Sequence, residues 1–388
     1  MHGTSKDEFG TRLPTGTPGL DIVLHGGLTP NRLYLVEGTP GSGKTTLALK
    51  FLMDGREHGK RGLYITLSET EEELRASSRS HGWSLEGIDL FEMVDEYEFG
   101  SDHEQSLLHP SEVELGETVR RVIELVEKIN PACVVLDSLS ELRLLAQNSL
   151  RYRRQILALK HFFARRKCTV LMLDDRTAEP SDMQLHSIAH GVISLEQEAN
   201  DFGSERRRLR VVKLRGVKYS GGYHDFTIEK GGICVYPRLI ASDHHRGFSA
   251  DPVTTGLTGL DGLLGDGLFP GTNTLLSGPA GVGKTTTAVL CMLAALKRGE
   301  SAAYFLFDER LATLMTRSKA LDMDLQPYID SGKLKIRQID PAELSPGEFA
   351  SEVRGAVEQD NASVIVIDSL NAYLHAMPSD NFLILQMH

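Results

Sequence analysis

The feature that most constrains this chain is a glycine-rich segment, Gly38-Thr39-Pro40-Gly41-Ser42-Gly43-Lys44-Thr45. It matches the pattern G-x-x-x-x-G-K-[ST], in which backbone N–H groups surround a phosphate at a helix N-terminus. The alternative is a chance match in a glycine-rich chain. The apolar run at 33–36 predicts a strand before the segment, and 45–55 has a helical pattern after it. This strand–loop–helix context predicts an α/β domain that binds a triphosphate.

The loop pattern assigns a role to particular side chains. Lys44 is expected to reach the β- and γ-phosphates, and the Thr45 hydroxyl is expected to bind Mg²⁺. Thr46 continues the expected binding segment into the helix.

The same loop occurs a second time, 240 residues further on. The matching flanks are Thr15-Gly16 with Thr255-Gly256, Gly19-Leu20-Asp21 with Gly259-Leu260-Asp261, and Gly27-Leu28 with Gly267-Leu268. Two independent loops would not share these flanks, so the chain is a tandem duplication. We predict domains at 1–247 and 248–388. The expected binding residues of the second domain are Gly278, Gly281, Val282, Gly283, Lys284, Thr285 and Thr286.

A glutamate follows the second predicted strand, 62–66, at position 69. A carboxylate at the end of a parallel strand beside the loop lies where an attacking water needs a base. The alternative is that Glu69 caps the helix that begins near Thr70. Asp308 and Glu309 occupy the same place in the second repeat, which favours a catalytic role for Glu69 and Glu309.

Aspartates end a further apolar strand in each repeat, Asp137 after 133–136 and Asp368 after 364–367. In phosphate-loop proteins such an aspartate holds Mg²⁺ directly or through water. With the hydroxyls of Thr45 and Thr285, these carboxylates are the predicted metal ligands.

The rest of the first repeat predicts a mostly parallel sheet flanked by helices. Helices are expected at 70–81, 115–128 and 151–167, and buried strands at 169–175 and 191–195. Apolar residues then alternate with a period of two up to residue 235, which predicts a terminal antiparallel meander. A basic run in it, 206–210 with Lys213 and Arg215, is either a solvated edge strand or a strand tip that reaches a neighbour's phosphate.

Composition excludes some classes of function. The formal net charge of −11 and a pI of about 5.7 disfavour nucleic acid or an anionic membrane as a partner. No apolar run resembles a signal peptide or reaches the roughly 18 residues of a membrane helix. The four cysteines lack metal-ligand spacing and are interpreted as buried thiols of a soluble, cytoplasmic protein.

These motifs in combination resemble the KaiC family, double-domain ATPases of the RecA superfamily. The resemblance implies RecA-like P-loop domains in tandem, ATP with Mg²⁺ at the subunit interfaces of a homo-oligomeric, hexameric ring, and regulatory protein partners. It assigns Lys44, Thr45 and Asp137 to the nucleotide and metal, and Lys213 and Arg215 to the neighbouring subunit's γ-phosphate.

The chain also departs from the family pattern. The family commonly has two adjacent glutamates where this chain has Ser68-Glu69 and Asp308-Glu309, and its clock proteins often have a histidine where Tyr219 stands. The second repeat extends 20 residues past Asp368, before any Lys-x-Arg element or the family's autophosphorylated Ser and Thr. It is therefore expected to be an incomplete copy.

We therefore expect ATP hydrolysis in the first repeat, with a regulatory or clock-like signalling role. Three alternatives stay open at this point: a KaiC-type serine/threonine autokinase, a RecA-like DNA-dependent ATPase, and a nucleotide-gated scaffold with little turnover.

Overall fold

The computed structural model describes residues 12–93, 110–146, 148–176, 183–199, 203–240 and 251–375. The chain forms two compact units, of which the first ends at Arg238 and the second begins at Leu239 and also includes Ser204. The predicted domain boundary at 247/248 lies outside the described residues and stays a prediction.

Helices and strands alternate along most of the first unit. Their bounds are α1 Pro18–Val23, β1 Leu33–Gly38, α2 Lys44–Glu57, β2 Gly62–Thr66, α3 Glu71–Ser80, β3 Ile88–Glu92, α4 Pro110–Ile129, β4 Cys133–Asp137, α5 Leu139–Ala146, α6 Ser149–Arg166, β5 Thr169–Asp175, α7 Met183–Ile188, β6 Gly191–Glu198, β7 Arg206–Leu214, β8 Tyr223–Glu229 and β9 Gly232–Tyr236.

In the described part of this unit, nine strands form one sheet in the order β3-β2-β4-β5-β1-β6-β7-β8-β9. The six strands from β3 to β6 are parallel, and β7, β8 and β9 continue the sheet as an antiparallel meander. The predicted α/β fold with a mostly parallel sheet is confirmed. Strand β1 lies between β5 and β6, so its carboxyl end opens at the middle of the sheet.

Both faces of this sheet are covered by helices. Tyr34 and Val36 pack on one face with residues of α1 and α2, whereas Leu33 and Leu35 pack on the other with residues of α4, α5 and α6. A strand that is buried on both faces needs apolar side chains at consecutive positions. That requirement explains the unbroken apolar run before the first loop.

The second unit has a smaller sheet. Its elements are α8 Thr258–Leu264, α9 Lys284–Lys297, β10 Ser301–Leu306, α10 Leu311–Ala320, α11 Gln326–Asp330, β11 Leu334–Gln338, α12 Pro346–Glu358, β12 Ala362–Asp368 and α13 Leu370–His375. Among the described residues its three strands lie parallel in the order β11-β10-β12.

The second unit differs from the first just before its loop. The segment Thr274-Leu275-Leu276 stands 240 residues after Tyr34-Leu35-Val36 of β1, but it forms no strand, and Leu275 is 73% exposed. Strand β1 is held between β5 and β6, and the described residues of the second unit provide no counterpart of either strand. Without partners for its backbone N–H and C=O groups, the segment stays outside the sheet.

The expectation of buried thiols holds for only two of the four cysteines, since Cys234 is exposed and Cys291 is half-buried. Cys133 and Cys168 are buried, and burial raises the pKa of their thiols to about 12 and about 11. Cys234 is exposed, because the alternation of β9 places it on the solvent face. No helix within the described ranges is long and apolar enough to cross a membrane.

Candidate nucleotide site

The first glycine-rich loop joins the carboxyl end of β1 to the amino end of α2. Gly41 and Gly43 have φ angles of 79° and 97°, which side chains disfavour. A Cβ atom on Gly38 would lie 2.5 Å from both the Ser42 hydroxyl and the Leu195 carbonyl oxygen. The Ser42 hydroxyl is buried and has no hydrogen-bond partner within the described residues. The tight loop thus keeps a free donor at a helix N-terminus, which suits a phosphate oxygen.

The Lys44 ammonium group points back over this loop. It donates hydrogen bonds of 3.0 Å to the carbonyl oxygens of Gly38 and Thr39, and it lies 2.8 Å from an Asp175 carboxylate oxygen. Sequence reasoning did not assign a role to Asp175. The feature that could have identified Asp175 is its place at the carboxyl end of β5, the strand beside β1.

The side chains predicted to hold a metal meet at the same edge of the sheet. The Thr45 hydroxyl lies 3.3 Å from a carboxylate oxygen of Asp137, which also accepts a 2.5 Å hydrogen bond from the Tyr64 hydroxyl. Burial raises the pKa of Asp137, while the Tyr64 hydrogen bond and the Lys44 charge oppose that rise. Hydroxyl and carboxylate oxygens are the ligands that Mg²⁺ prefers, so this pair fits the ion. Sequence reasoning missed Tyr64.

Glu69 lies just beyond β2 and does not cap α3. The cap is Thr70, whose hydroxyl accepts from the Glu73 N–H while the Glu73 carboxylate accepts from the Thr70 N–H. The Glu69 backbone is fixed by two hydrogen bonds with the Thr66 hydroxyl, of 2.9 and 2.8 Å. Burial, followed by the negative charges of Asp137, Glu73 and Asp175, raises the pKa of the Glu69 carboxyl.

The second loop repeats most of this geometry. The Lys284 ammonium donates to the carbonyl oxygens of Gly278 and Pro279 at 2.8 and 2.9 Å. The Thr285 and Tyr304 hydroxyls each lie 2.7 Å from a carboxylate oxygen of Asp368. These contacts match those of the first site.

The acidic pair of the second repeat has different partners from Glu69. Asp308 accepts a 2.5 Å hydrogen bond from the Ser369 hydroxyl. Both carboxylate oxygens of Glu309 accept hydrogen bonds from Arg317, at 2.9 and 2.8 Å.

Arg215 follows β7 at the end of the sheet where β1 begins, whereas Lys213 pairs with Val192, beside the middle of β1. The Lys213 ammonium donates to the His186 and Ala189 carbonyl oxygens, and the Arg215 guanidinium donates to the Ser187 carbonyl oxygen at 2.6 Å. The backbone N–H of Arg215 bonds to His190, whose own N–H bonds to Leu33 at the start of β1. The structure therefore does not bring these two cations to the loop of their own chain.

Two other cationic side chains lie near Arg215. Arg32 and Lys160 line a cavity of about 230 Å³ with it, together with the imidazole of His190. Burial, together with the charges of Arg32, Arg215, Lys160 and Lys213, lowers the pKa of His190 to about 4. This edge of the unit is therefore strongly positive.

A loop that joins β1 to α2 in a mostly parallel sheet, with Lys44, Thr45 and Asp137 at the strand ends, defines a RecA-like P-loop nucleotide hydrolase. The family model of the KaiC ATPase matches residues 13–240 and again residues 253–382. The chain belongs to the KaiC family.

Individual relatives agree with this assignment. The chain is 27% identical over 369 residues to the circadian clock protein KaiC3 of Synechocystis sp., covering 93% of this chain and 72% of that protein. It is 27% identical over 372 residues to KaiC2 of the same organism, covering 93% of this chain and 64% of that protein. It is 26% identical over 379 residues to the circadian clock oscillator protein KaiC of Picosynechococcus sp., covering 96% and 72%.

Proposed function

We propose that the first repeat hydrolyses ATP and that its site is completed by a second copy of the chain. Lys44 binds the β- and γ-phosphates, Thr45 and Asp137 hold Mg²⁺, and Glu69 is the general base. When bound, the Mg²⁺ ion would neutralise part of the negative charge on the phosphates. The observation that carries the proposal is the meeting of the Thr45 hydroxyl with the Asp137 carboxylate, 3.3 Å apart, beside the loop.

Glu69 has the placement and environment that a base requires. It follows β2, whose last residue, Thr66, pairs with Asp137 at the end of β4, so it lies at the same edge of the sheet as the metal pair. Burial, followed by the charge of Asp137, raises the pKa of its carboxyl. In the reaction a water oxygen bonds to the γ-phosphorus, the bond to the ADP oxygen breaks, and Glu69 accepts a water proton. A raised pKa strengthens the base, provided that the carboxyl remains ionised at working pH.

The distance from Arg215 to the loop of its own chain supports completion of the nucleotide site by a second copy. Arg215 is tied through His190 to the amino end of β1, whereas the loop follows the carboxyl end of that strand. Six residues of β-strand span about 20 Å, which is beyond the reach of an arginine side chain. Lys213 and Arg215 therefore serve the γ-phosphate of a neighbour, in a ring of six copies.

Regulation is the proposed output of this ATPase. The relatives are named as circadian clock proteins. By analogy with those names we infer that nucleotide state controls assembly or the binding of a regulatory protein partner. Transfer of phosphate to the chain itself is not part of the proposal.

The test is steady-state ATP hydrolysis with the oligomer mass measured in parallel. We expect Lys44→Ala, Glu69→Gln and Arg215→Ala each to lower kcat by a factor of about 100 or more. Arg154→Ala, at an exposed position of α6, is the matched control for loss of a positive charge and should retain turnover.

Two results would contradict the proposal. Full turnover in Glu69→Gln would exclude the assigned base. ATP-driven assembly without hydrolysis in the unaltered chain would favour the nucleotide-gated scaffold instead.

A further inference from the structure

The two strand-end glutamates differ in one contact. Arg317 lies on α10 and holds Glu309 through two parallel hydrogen bonds, one to each carboxylate oxygen. Both side chains are partly covered, with 40% of Arg317 and 22% of Glu309 exposed. Such a bidentate fork fixes the orientation of a carboxylate more firmly than a single hydrogen bond does.

The first repeat has no arginine at the equivalent place. Ser77 occupies that position on α3, eight residues after Glu69, just as Arg317 stands eight residues after Glu309. The burial pattern of α3 matches that of α10 at every position, so the two helices present the same faces. Within the described residues, the Glu69 carboxylate forms no hydrogen bond or ion pair.

We propose that Arg317 is a positioning residue that restrains the second site by holding Glu309 away from catalysis. This inference rests on the proposed function, because it takes the strand-end glutamate to be the base. The remaining contacts of the second site are formed, with Lys284 over its loop and Thr285 beside Asp368. Binding of a nucleotide is therefore retained, while proton abstraction is impaired.

The physical reason is competition for the carboxylate oxygens. A general base must accept a hydrogen bond from the attacking water along a carboxylate lone pair. In the fork, Arg317 occupies one lone pair of each Glu309 oxygen, and the guanidinium remains charged at every accessible pH. The remaining lone pairs point in directions that the fork fixes, so Glu309 cannot turn toward a water molecule at the γ-phosphate without breaking the fork.

The inference is tested by building the same contact into the first site. The substitution Ser77→Arg should lower the first-site kcat about three- to fivefold while KM for ATP stays within twofold. Ala76→Arg is the matched control. It introduces the same charge at an exposed position that points about 100° away from Ser77 around the helix. An unchanged kcat in Ser77→Arg, or an equal loss in both variants, would overturn the inference.

The reciprocal substitution tests Arg317 itself. In a Lys44→Ala background, which silences the first site, Arg317→Ser should raise the remaining ATP turnover severalfold, and Arg317→Lys should raise it less. Equal turnover in Lys44→Ala and in both of its Arg317 variants would also overturn the inference. If Glu69→Gln abolishes turnover but Ser77→Arg does not alter it, this inference fails while the proposed function stands.

Discussion

Glu69 has a carboxyl group whose surroundings oppose its ionisation. Burial is the largest cause of its raised pKa, and the negative charges of Asp137, Glu73 and Asp175 add to it. A base acts in its deprotonated form, so kcat/KM should fall as pH falls through the pKa of Glu69. The midpoint of this acidic limb should therefore lie above the ordinary glutamate value of 4.5.

A substitution outside the site should shift the acidic limb of the kcat/KM profile. Glu73→Gln removes one negative charge that raises the pKa of Glu69, so the acidic limb of kcat/KM should move to lower pH. A glutamine at this position can still complete the cap of α3. Glu72→Gln removes the same charge from an exposed neighbour and is the control. A limb that does not move in Glu73→Gln would mean that another group titrates there.

Part of the site was predictable at the scale of residues. Lys44, Thr45 and Asp137 belong to a spaced pattern whose chemistry depends on residue type, so the sequence indicated their place at the loop. Tyr64 and Asp175 were not assigned, because their contacts with Asp137 and Lys44 depend on which strands are neighbours. An isolated tyrosine or a second aspartate at a strand end carries no such information.

At the scale of elements, the repeated flank before each loop has a structural explanation. The Asp21 carboxylate accepts 2.8 Å hydrogen bonds from both the backbone N–H and the hydroxyl of Thr15, and Asp261 binds Thr255 in the same way. The shared threonine and aspartate therefore tie the entering segment to the first helix of each unit.

The glycine in this flank allows two backbone segments to approach closely. Gly27 has a φ of 108°, and a Cβ atom there would lie 2.4 Å from the Leu13 carbonyl oxygen, beside the bridge between Leu13 and Leu28. We expect Gly27→Ala to lower the free energy of unfolding by about 2 kcal/mol or more. Urea denaturation measures this change.

A control on the same protein separates close approach from a general effect of added methyl groups. Gly59→Ala places a Cβ atom in open space at a φ of 72°, so it carries backbone strain alone. A loss of stability no larger than that of Gly59→Ala would contradict the proposed role of Gly27.

The elements with strong patterns were predicted closely, and the others were not. Strands β2 and β5 have the predicted bounds, because apolar residues are bounded by clear breaks there. Strand β3 was not predicted, since only one of its five residues is buried. The segment Thr274-Leu275-Leu276 shows the opposite case. It corresponds to part of β1 in the first repeat but stays unpaired, because strands far along the chain decide whether it joins a sheet.

At the scale of the whole molecule, the proposed completion of one copy's site by another predicts that two different inactive variants can restore activity together. Lys44→Ala lacks a working loop, and Arg215→Ala lacks the cation that it offers to a neighbour. An equimolar mixture of the two inactive variants should regain turnover, up to about a quarter of the wild-type value if copies mix randomly in a ring.

The control replaces one partner of that mixture. Lys44→Ala mixed with the double variant Lys44→Ala/Arg215→Ala has no intact first loop and should show no more turnover than Lys44→Ala alone. Turnover that is absent from the first mixture, although both variants co-assemble by mass, would mean that Lys44 and Arg215 act within one chain.

The position of β1 in the sheet also sets when the first site can form. Both neighbours of this strand come late, since β5 begins at Thr169 and β6 ends at Glu198. At synthesis rates of about 5–20 residues per second, the ribosome needs roughly 10–40 s to complete β6. Until then the loop has no finished sheet to hold it, so a nascent chain acquires its nucleotide site only after β6 has been made.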